Sequence, residues 1–436
     1  MSLHDQPSAG AGTAEVGPEP EPEAADSSIT PRWWRDAPRW LRWALLGLAV
    51  SIGLSIAGEI AGTPDLMSEG SASATLRFAM PILLAGLGGL WSERSGSLNI
   101  GLDGMMVIGS WTGAWAGVAW GPWWAIVGGL AGGILAGLLH ALLTVTFGID
   151  QTISGLAINL ASLGVVRFLS SLTFVDEPGG SISQSPQLGE LPTVSVPGIA
   201  ALLDPVVDAG IFVISDIAGV ILGVTTNVSV FTILALACVP GTWWILWRTR
   251  GGLRVRAAGE NPGAADALGV SPNRMRYAAL AASGGLAGLG GSYLVVVASS
   301  VYREGQVGGR GFIGLATVVF GNWRPSGVML GGLLFGFTDA LRTRQEDSIR
   351  ALILAGAVAL LVVAGREVRL GREGTAIALA VGAVGLGTWY LTADTVPSEL
   401  VSFAPQLTTL VVLAVARQTL RAPEGLGQTY RRSEAT

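Results

Sequence analysis

Long apolar runs, each bounded by a few charged or turn-forming residues, recur along nearly the whole chain at lengths near the roughly 20 residues that carry a helix across a bilayer core. The pattern predicts membrane segments near 41–62, 76–92, 98–120, 122–147, 151–174, 228–247 and 277–298, and further ones near 349–365, 374–391 and 398–416. Between these two groups the run 312–320 is too short to cross alone, and Asn322-Trp323-Arg324-Pro325 turns it into 327–341. Two shorter helices meeting within the membrane are expected there. The predicted fold class is therefore all-α, a polytopic transmembrane helix bundle of about ten to twelve spans with re-entrant or broken helices.

The pattern breaks over 176–224, where Pro, Gly and Ser surround isolated acids, and Lys and Arg are lacking, which suits an external loop region holding a short amphipathic or re-entrant piece. Positive charge gathers elsewhere. Arg248, Arg250, Arg254, Arg256, Arg274 and Arg276 cluster in and around the loop 248–275, which the positive-inside rule places in the cytoplasm. Arg32 to Arg42, rich in Arg and Trp, and the basic tail 421–436 put both termini on the same side, while Arg342, Arg344 and Arg350 fall outside and obey the rule poorly. Residues 1–31 read as a disordered acidic leader, unlike a cleavable signal peptide because an apolar centre is missing. One transmembrane domain, 32–420, follows.

Composition agrees with lipid as the solvent: 50% of residues are hydrophobic and only 13% charged, against roughly 25% charged in soluble domains. Many of the 63 glycines lie inside the apolar runs in four-residue stripes, as in helices packed closely in membranes. Gly128, Gly132 and Ala136 form one stripe, Gly129, Gly133 and Gly137 a second, and Gly284 with Gly288 and Gly332 with Gly336 repeat the spacing. The single cysteine, Cys238, excludes an intrachain disulfide.

Catalytic patterns are missing from the sequence. It contains neither G-x-x-x-x-G-K-S/T nor H-E-x-x-H, and of its two histidines His4 lies in the leader and His140 stands alone in a Gly-rich segment, where packing or a backbone hydrogen bond is expected. No enzyme activity, ATPase site, catalytic residue, cofactor or metal follows from these residues, and no nucleic acid polymer is expected as a partner. Two other constellations stand out. Asn261 to Gly269 reads as a short helix with Asn261 as its amino-terminal cap, Pro262 as its first residue and Gly269 as its left-handed end. Two turns are marginal alone in water, so the helix is either an ordinary loop element or one that needs a partner surface. The second constellation is intramembrane: Asn99 and Asp103, four residues apart on one expected helix face, and Gln151, Thr152, Ser154 and Asn159 opening a later helix. Lining a pathway and bonding neighbouring helices are both open roles for them.

Three stretches resemble the permease subunits of ATP-binding-cassette importers in the simple-sugar and branched-chain amino-acid superfamily, with the nucleoside permeases as the nearest branch. They are Leu84 to Gly96 continuing through Leu98 to Met106, Arg256 to Gly269, and Gly311 to Gly321 with Pro325 and Gly331 to Gly336; Arg421-Ala422-Pro423 with Leu426-Gly427 adds a weaker fourth. The resemblance implies that Arg256, Glu260, Asn261, Pro262, Ala265, Asp266 and Gly269 form a coupling loop docked on a separate ATPase subunit. It further implies a second permease chain, commonly a non-identical sister, an extracellular substrate-binding protein, a plasma-membrane location and nucleoside cargo, with simple sugars as the alternative. A self-contained carrier would instead need ion-coupling carboxylates, for which Asp103 and Asp339 are the candidates. The chain departs from the family in its long leader, an expanded 199–224 region and an inserted helical hairpin near 349–391.

Overall fold

A computed structural model describes residues 38–62, 64–341, 346–392 and 420–430. The leader, Arg342 and Arg344, the expected segment 398–416 and the end of the tail lie outside the described residues.

The helices follow the apolar runs. In order they are α1 (Arg39–Ala61), α2 (Glu69–Arg94), α3 (Leu102–Trp120), α4 (Pro122–Ala141), α5 (Gln151–Thr173), α6 (Ile199–Asp208), α7 (Ile214–Thr225) and α8 (Val230–Arg248). After them come α9 (Arg250–Glu260), α10 (Pro262–Ala267), α11 (Pro272–Tyr293), α12 (Arg310–Phe320), α13 (Pro325–Leu341), α14 (Glu346–Arg369) and α15 (Glu373–Thr392). Among the described residues six helices are long and apolar enough to cross a membrane, α2, α4, α5, α8, α11 and α15, counting the π turns Leu142–Thr146 and Leu294–Ala298 that extend α4 and α11. The only strands among these residues are β1 (Thr193–Val194) and β2 (Val228–Ser229), an antiparallel ribbon pairing Thr193 with Ser229.

Local chemistry fixes the helix ends. Ser68 caps α2, its Oγ accepting from the Ser71 N–H at 3.2 Å, with Glu69 in the first turn and Arg94 in the last to complement the helix dipole. Asp150 caps α5 by accepting from the N–H groups of Thr152 and Ile153 at 2.9 and 3.0 Å. Gly121, at φ +100°, makes the tight turn from α3 into α4, where Pro122 takes the first helical position.

Burial sorts the helices into a core and a rim. The apolar windows of α2 and α11 are 72% and 78% buried, whereas that of α15 is 11% buried. Around α2 lie α7, α11, α12 and α13, and α11 in turn packs on α3 and α4. The glycine stripes make these contacts. Gly133 and Gly137 of α4 meet the backbone of Gly284, and Gly129 and Gly133 that of Gly288, so that a side chain on this seam would strike main chain. Gly128 and Gly132 seat Thr112 and Ala116 of α3, while Gly332 and Gly336 of α13 lie on Leu83 and Ala79 of α2. On the rim, Leu160, Phe168, Ile377 and Val384 are exposed, as suits helices facing lipid. The hairpin expected near 349–391 is α14 and α15, packed on each other and, through α14, on α1.

The two short helices α12 and α13 are joined by the turn Gly321–Arg324, which closes on the end of α2, where Arg94 donates to the Trp323 carbonyl at 2.8 Å. The other end of α12 lies opposite the start of α3. There Asp103 Oδ1 accepts from the Gly311 N–H at 3.0 Å. The segment expected as helix from residue 98 is irregular until Leu102, so Asn99 and Asp103 do not share a helix face.

Candidate functional site

A buried irregular backbone must find its hydrogen bonds within the protein. Residues 97–101 find them in side chains of α4 and α5 and of Asn99 itself. Gln151 Oε1 accepts from the Leu98 N–H at 2.5 Å, and Asn159 accepts from the Gly104 N–H at 2.7 Å while donating to the Ile100 carbonyl at 2.9 Å. Asn99 Oδ1 accepts from the Gly101 N–H at 3.1 Å, and its Nδ2 donates to Ser283 Oγ of α11 at 2.9 Å. His140 completes the set, its Nε2 lying 3.1 Å from the Leu98 carbonyl and its Nδ1 2.9 Å from Ser154 Oγ. A carbonyl only accepts, so the ring donates from Nε2 and Nδ1 is left to accept from Ser154. Asn99, Gln151 and Asn159 are thus brought together around the broken helix, and Asp103 ties its start to α12. Thr152 stands apart, exposed on α5. Beside this cluster Arg310 pairs with Asp339 of α13 and also donates to the Gln306 carbonyl at 2.9 Å, so both candidate carboxylates hold α12 in place.

The second grouping lies at the arginine-rich face. Asn261 caps α10, its Oδ1 accepting from the Ala264 N–H at 2.9 Å, and Pro262 occupies the first helical position. At the other end Gly269 has φ +81°, the Val270 N–H reaches the Ala265 carbonyl and the Gly269 N–H reaches that of Asp266, both at 2.9 Å. These are the two bonds of a Schellman termination. Ala265 is buried and Asp266 half-buried, whereas Leu268, at 84% exposed, projects from the tip.

This loop is fastened to the membrane core rather than tethered loosely. Glu260 lies 3.6 Å from Arg94, and a Cβ on Gly259 would overlap the backbone of Arg94 and Gly96. Arg256 donates from Nε to the Leu246 carbonyl at 2.9 Å, and Arg94 and Arg256 stand 5.4 and 5.6 Å from the Trp247 ring centre. Trp323 Nε1 donates to the buried Glu93 carboxylate at 2.5 Å, locking the α12–α13 turn to the same corner. The tail clasps it from outside: the Gly425 N–H meets the Gly259 carbonyl at 2.9 Å, that of Gly427 meets Gly96 at 3.0 Å, and Arg421 N–H meets Asn322 Oδ1 at 2.8 Å. Sequence reading missed Leu268, Glu93, Arg94 and Trp323 as members of this site. Leu268 had a visible signal, a large apolar residue in a polar, arginine-rich loop; the others became neighbours only through the packing of α2 against α13.

The family model for "Branched-chain amino acid transport system / permease component" matches residues 71–364. The guanosine ABC transporter permease protein NupQ of Bacillus subtilis is 36% identical over 275 residues, covering 62% of this chain and 80% of the relative. A putative glucose ABC transporter permease protein, TsgC13 of Haloferax volcanii, is 33% identical over 65% of this chain and 80% of its own length. The nucleoside ABC transporter permease protein NupC of Lactococcus lactis subsp. cremoris is 30% identical over 61% of this chain and 80% of its own. No solved structure matches the chain at a significant level.

Proposed function

From the premise that this chain belongs to the family of permease components of branched-chain amino acid transport systems, we propose that it is the membrane subunit of an ATP-driven importer for nucleosides. The observation that carries the reading is the capped helix α10, beside which Leu268 stands exposed while its root is fastened to α2 through Glu260 and Arg94. An exposed leucine on a rigid knob suits a groove on a separate ATPase subunit. Closure of that subunit pushes on α10, and the push passes through Arg94 and Trp323 into α2, which leads into the broken segment, and into α12 and α13, of which α12 is tied to the start of α3 at Asp103. Energy comes from the partner, since the chain lacks a nucleotide-hydrolysing motif.

Nucleoside cargo is supported by the names of NupQ and NupC, and a simple sugar is the second reading, supported by that of TsgC13. The importer is completed by an extracellular binding protein that delivers the cargo and by a second permease chain, a non-identical sister. The arginine-rich face is cytoplasmic, with both termini on that side. Engagement of Asp103 and Asp339 in fastening α12 speaks against their use as ion-coupling groups of a self-contained carrier. Leu268→Asp tests the docking: the ATPase is expected to be lost on purification of the tagged chain and uptake to cease, with helicity unchanged. Full retention of both overturns the reading.

A further inference from the structure

A cavity of about 370 Å³ opens on the face opposite the arginine-rich loop, between the far end of α2, the β1–β2 ribbon and the π turn that ends α11. Its volume lies within the roughly 300–1,000 Å³ of small-molecule sites. Arg77 and Glu190 both line it. Arg77 lies eight residues inside α2 from Glu69, roughly 12 Å along the helix, yet its side chain is exposed. Among the described residues neither Arg77 nor Glu190 has a hydrogen-bonding or ion-pair partner for its side chain. An unpaired arginine this far along a span is costly in lipid and is expected only where it faces water or a ligand.

The rest of the wall is mixed and locally irregular: Leu76, Leu191, Val228, Val296 and Val297 line it together with Asn227, Ser229 and Ser300. The Thr232 and Tyr293 hydroxyls are bonded to each other at 2.7 Å, and both residues are buried at its edge. Asn227 and Ser300 hold the left-handed backbone, φ +52° and +55°, and the α11 helix widens to a π turn at this spot. Such strain is maintained at binding sites more often than elsewhere.

An arginine fork, which only donates, set in one cavity with a carboxylate, which only accepts, matches a ligand bearing two acceptors on one edge and N–H donors on the next. We propose that this cavity is a station on the import path that binds 6-oxopurine nucleosides, an inference that rests on the nucleoside reading above. Arg77 donates to O6 and N7 of the base, the pairing that arginine makes with guanine elsewhere. Glu190 accepts from N1–H and, in guanosine, from the 2-amino group, and the wall hydroxyls and Asn227 face the ribose. Adenosine presents a donor where Arg77 also donates, and cytidine lacks the purine edge. A zwitterionic amino acid would pair with both charges too, and it is the competing ligand that the test separates.

The test uses intact cells carrying the whole importer, with Ser73→Cys at the cavity rim in a Cys238→Ser background, and follows labelling by a membrane-impermeant maleimide. Guanosine and inosine are expected to slow labelling and adenosine and cytidine to leave it unchanged. Arg77→Gln is expected to weaken the protection by both about tenfold, the scale of one lost bidentate contact. Glu190→Gln is expected to weaken protection by guanosine more than by inosine. Equal protection by all four nucleosides, protection by amino acids instead, or protection indifferent to both substitutions overturns the proposal. Cells that take up nucleosides without any protection remove the station and leave the importer standing; failure of the importer reading shows separately, as cells that take up no nucleoside at all.

Discussion

Gly269→Val isolates the part of the coupling loop that depends on backbone conformation alone. Gly269 has φ +81°, and a Cβ there would meet nothing within 4 Å, so the substitution introduces strain without a clash. The left-handed conformation costs a non-glycine residue roughly 1–2 kcal/mol, and a β-branched one is especially ill suited to it. Against this, α10 has only six helical residues and depends on its two ends. The Asn261 cap contributes about 1 kcal/mol, and a two-turn helix has little intrinsic stability to add. A loss of this size, a factor of about 5 to 30 in the local equilibrium, removes most of the preference for the seated loop and for the position of Leu268. The membrane core is untouched. Gly269→Asn is the control, because asparagine enters the left-handed region routinely. The assay is the amount of ATPase retained per tagged chain in detergent, with ATP-dependent uptake beside it and circular dichroism to verify helicity. The account expects strong loss with Gly269→Val and near-normal retention with Gly269→Asn. Equal retention by both, or equal loss by both, refutes the argument that the left-handed termination seats the loop.

Other expectations follow from the same geometry. Trp323→Phe keeps an aromatic ring, though a smaller one, and removes the donor to the buried Glu93 carboxylate; it is expected to cost about 1–3 kcal/mol or more, read as a lower melting temperature in detergent, and adding Glu93→Gln should recover part of it by removing the charge. Asn159→Ala leaves the Gly104 N–H and the Ile100 carbonyl without their partner and should cost about 1–3 kcal/mol for each stranded group, whereas Thr152→Ala, on the exposed side of α5, should stay within about 0.5 kcal/mol in the same measurement. Gly284→Leu drives a side chain into the α4 backbone and should abolish folded material on size-exclusion chromatography; Gly385→Leu in α15, with open space around it, should leave the yield unchanged.

Most of the bundle was legible because the signals involved are local. Apolar run lengths located the long spans, and four-residue glycine spacing marked the helices that pack closely, though not that the stripe of α4 meets Gly284 and Gly288 of α11. The helix around Pro262 was legible at both ends because a cap and a left-handed glycine each have a local steric cause. What the pattern concealed was where regularity fails. Residues 98–101 are apolar enough to read as the start of a helix, but side chains of Gln151, Asn159 and His140, distant in sequence, supply hydrogen bonds that sustain an irregular backbone. The anchor of the Gly321–Arg324 turn, the end of α2, is more than two hundred residues away, so no local signal announces it. Arg77 was missed for a similar reason: one charge in an otherwise apolar span has no local partner to announce it, and only the cavity shows what it faces.

The most direct measurement is uptake of labelled nucleosides and labelled pentoses, side by side, in cells lacking this chain and in cells with it restored, each with and without ATP depletion. The account predicts nucleoside uptake that returns with the chain and vanishes on depletion. Return of pentose uptake alone, or nucleoside uptake that persists without ATP, contradicts it.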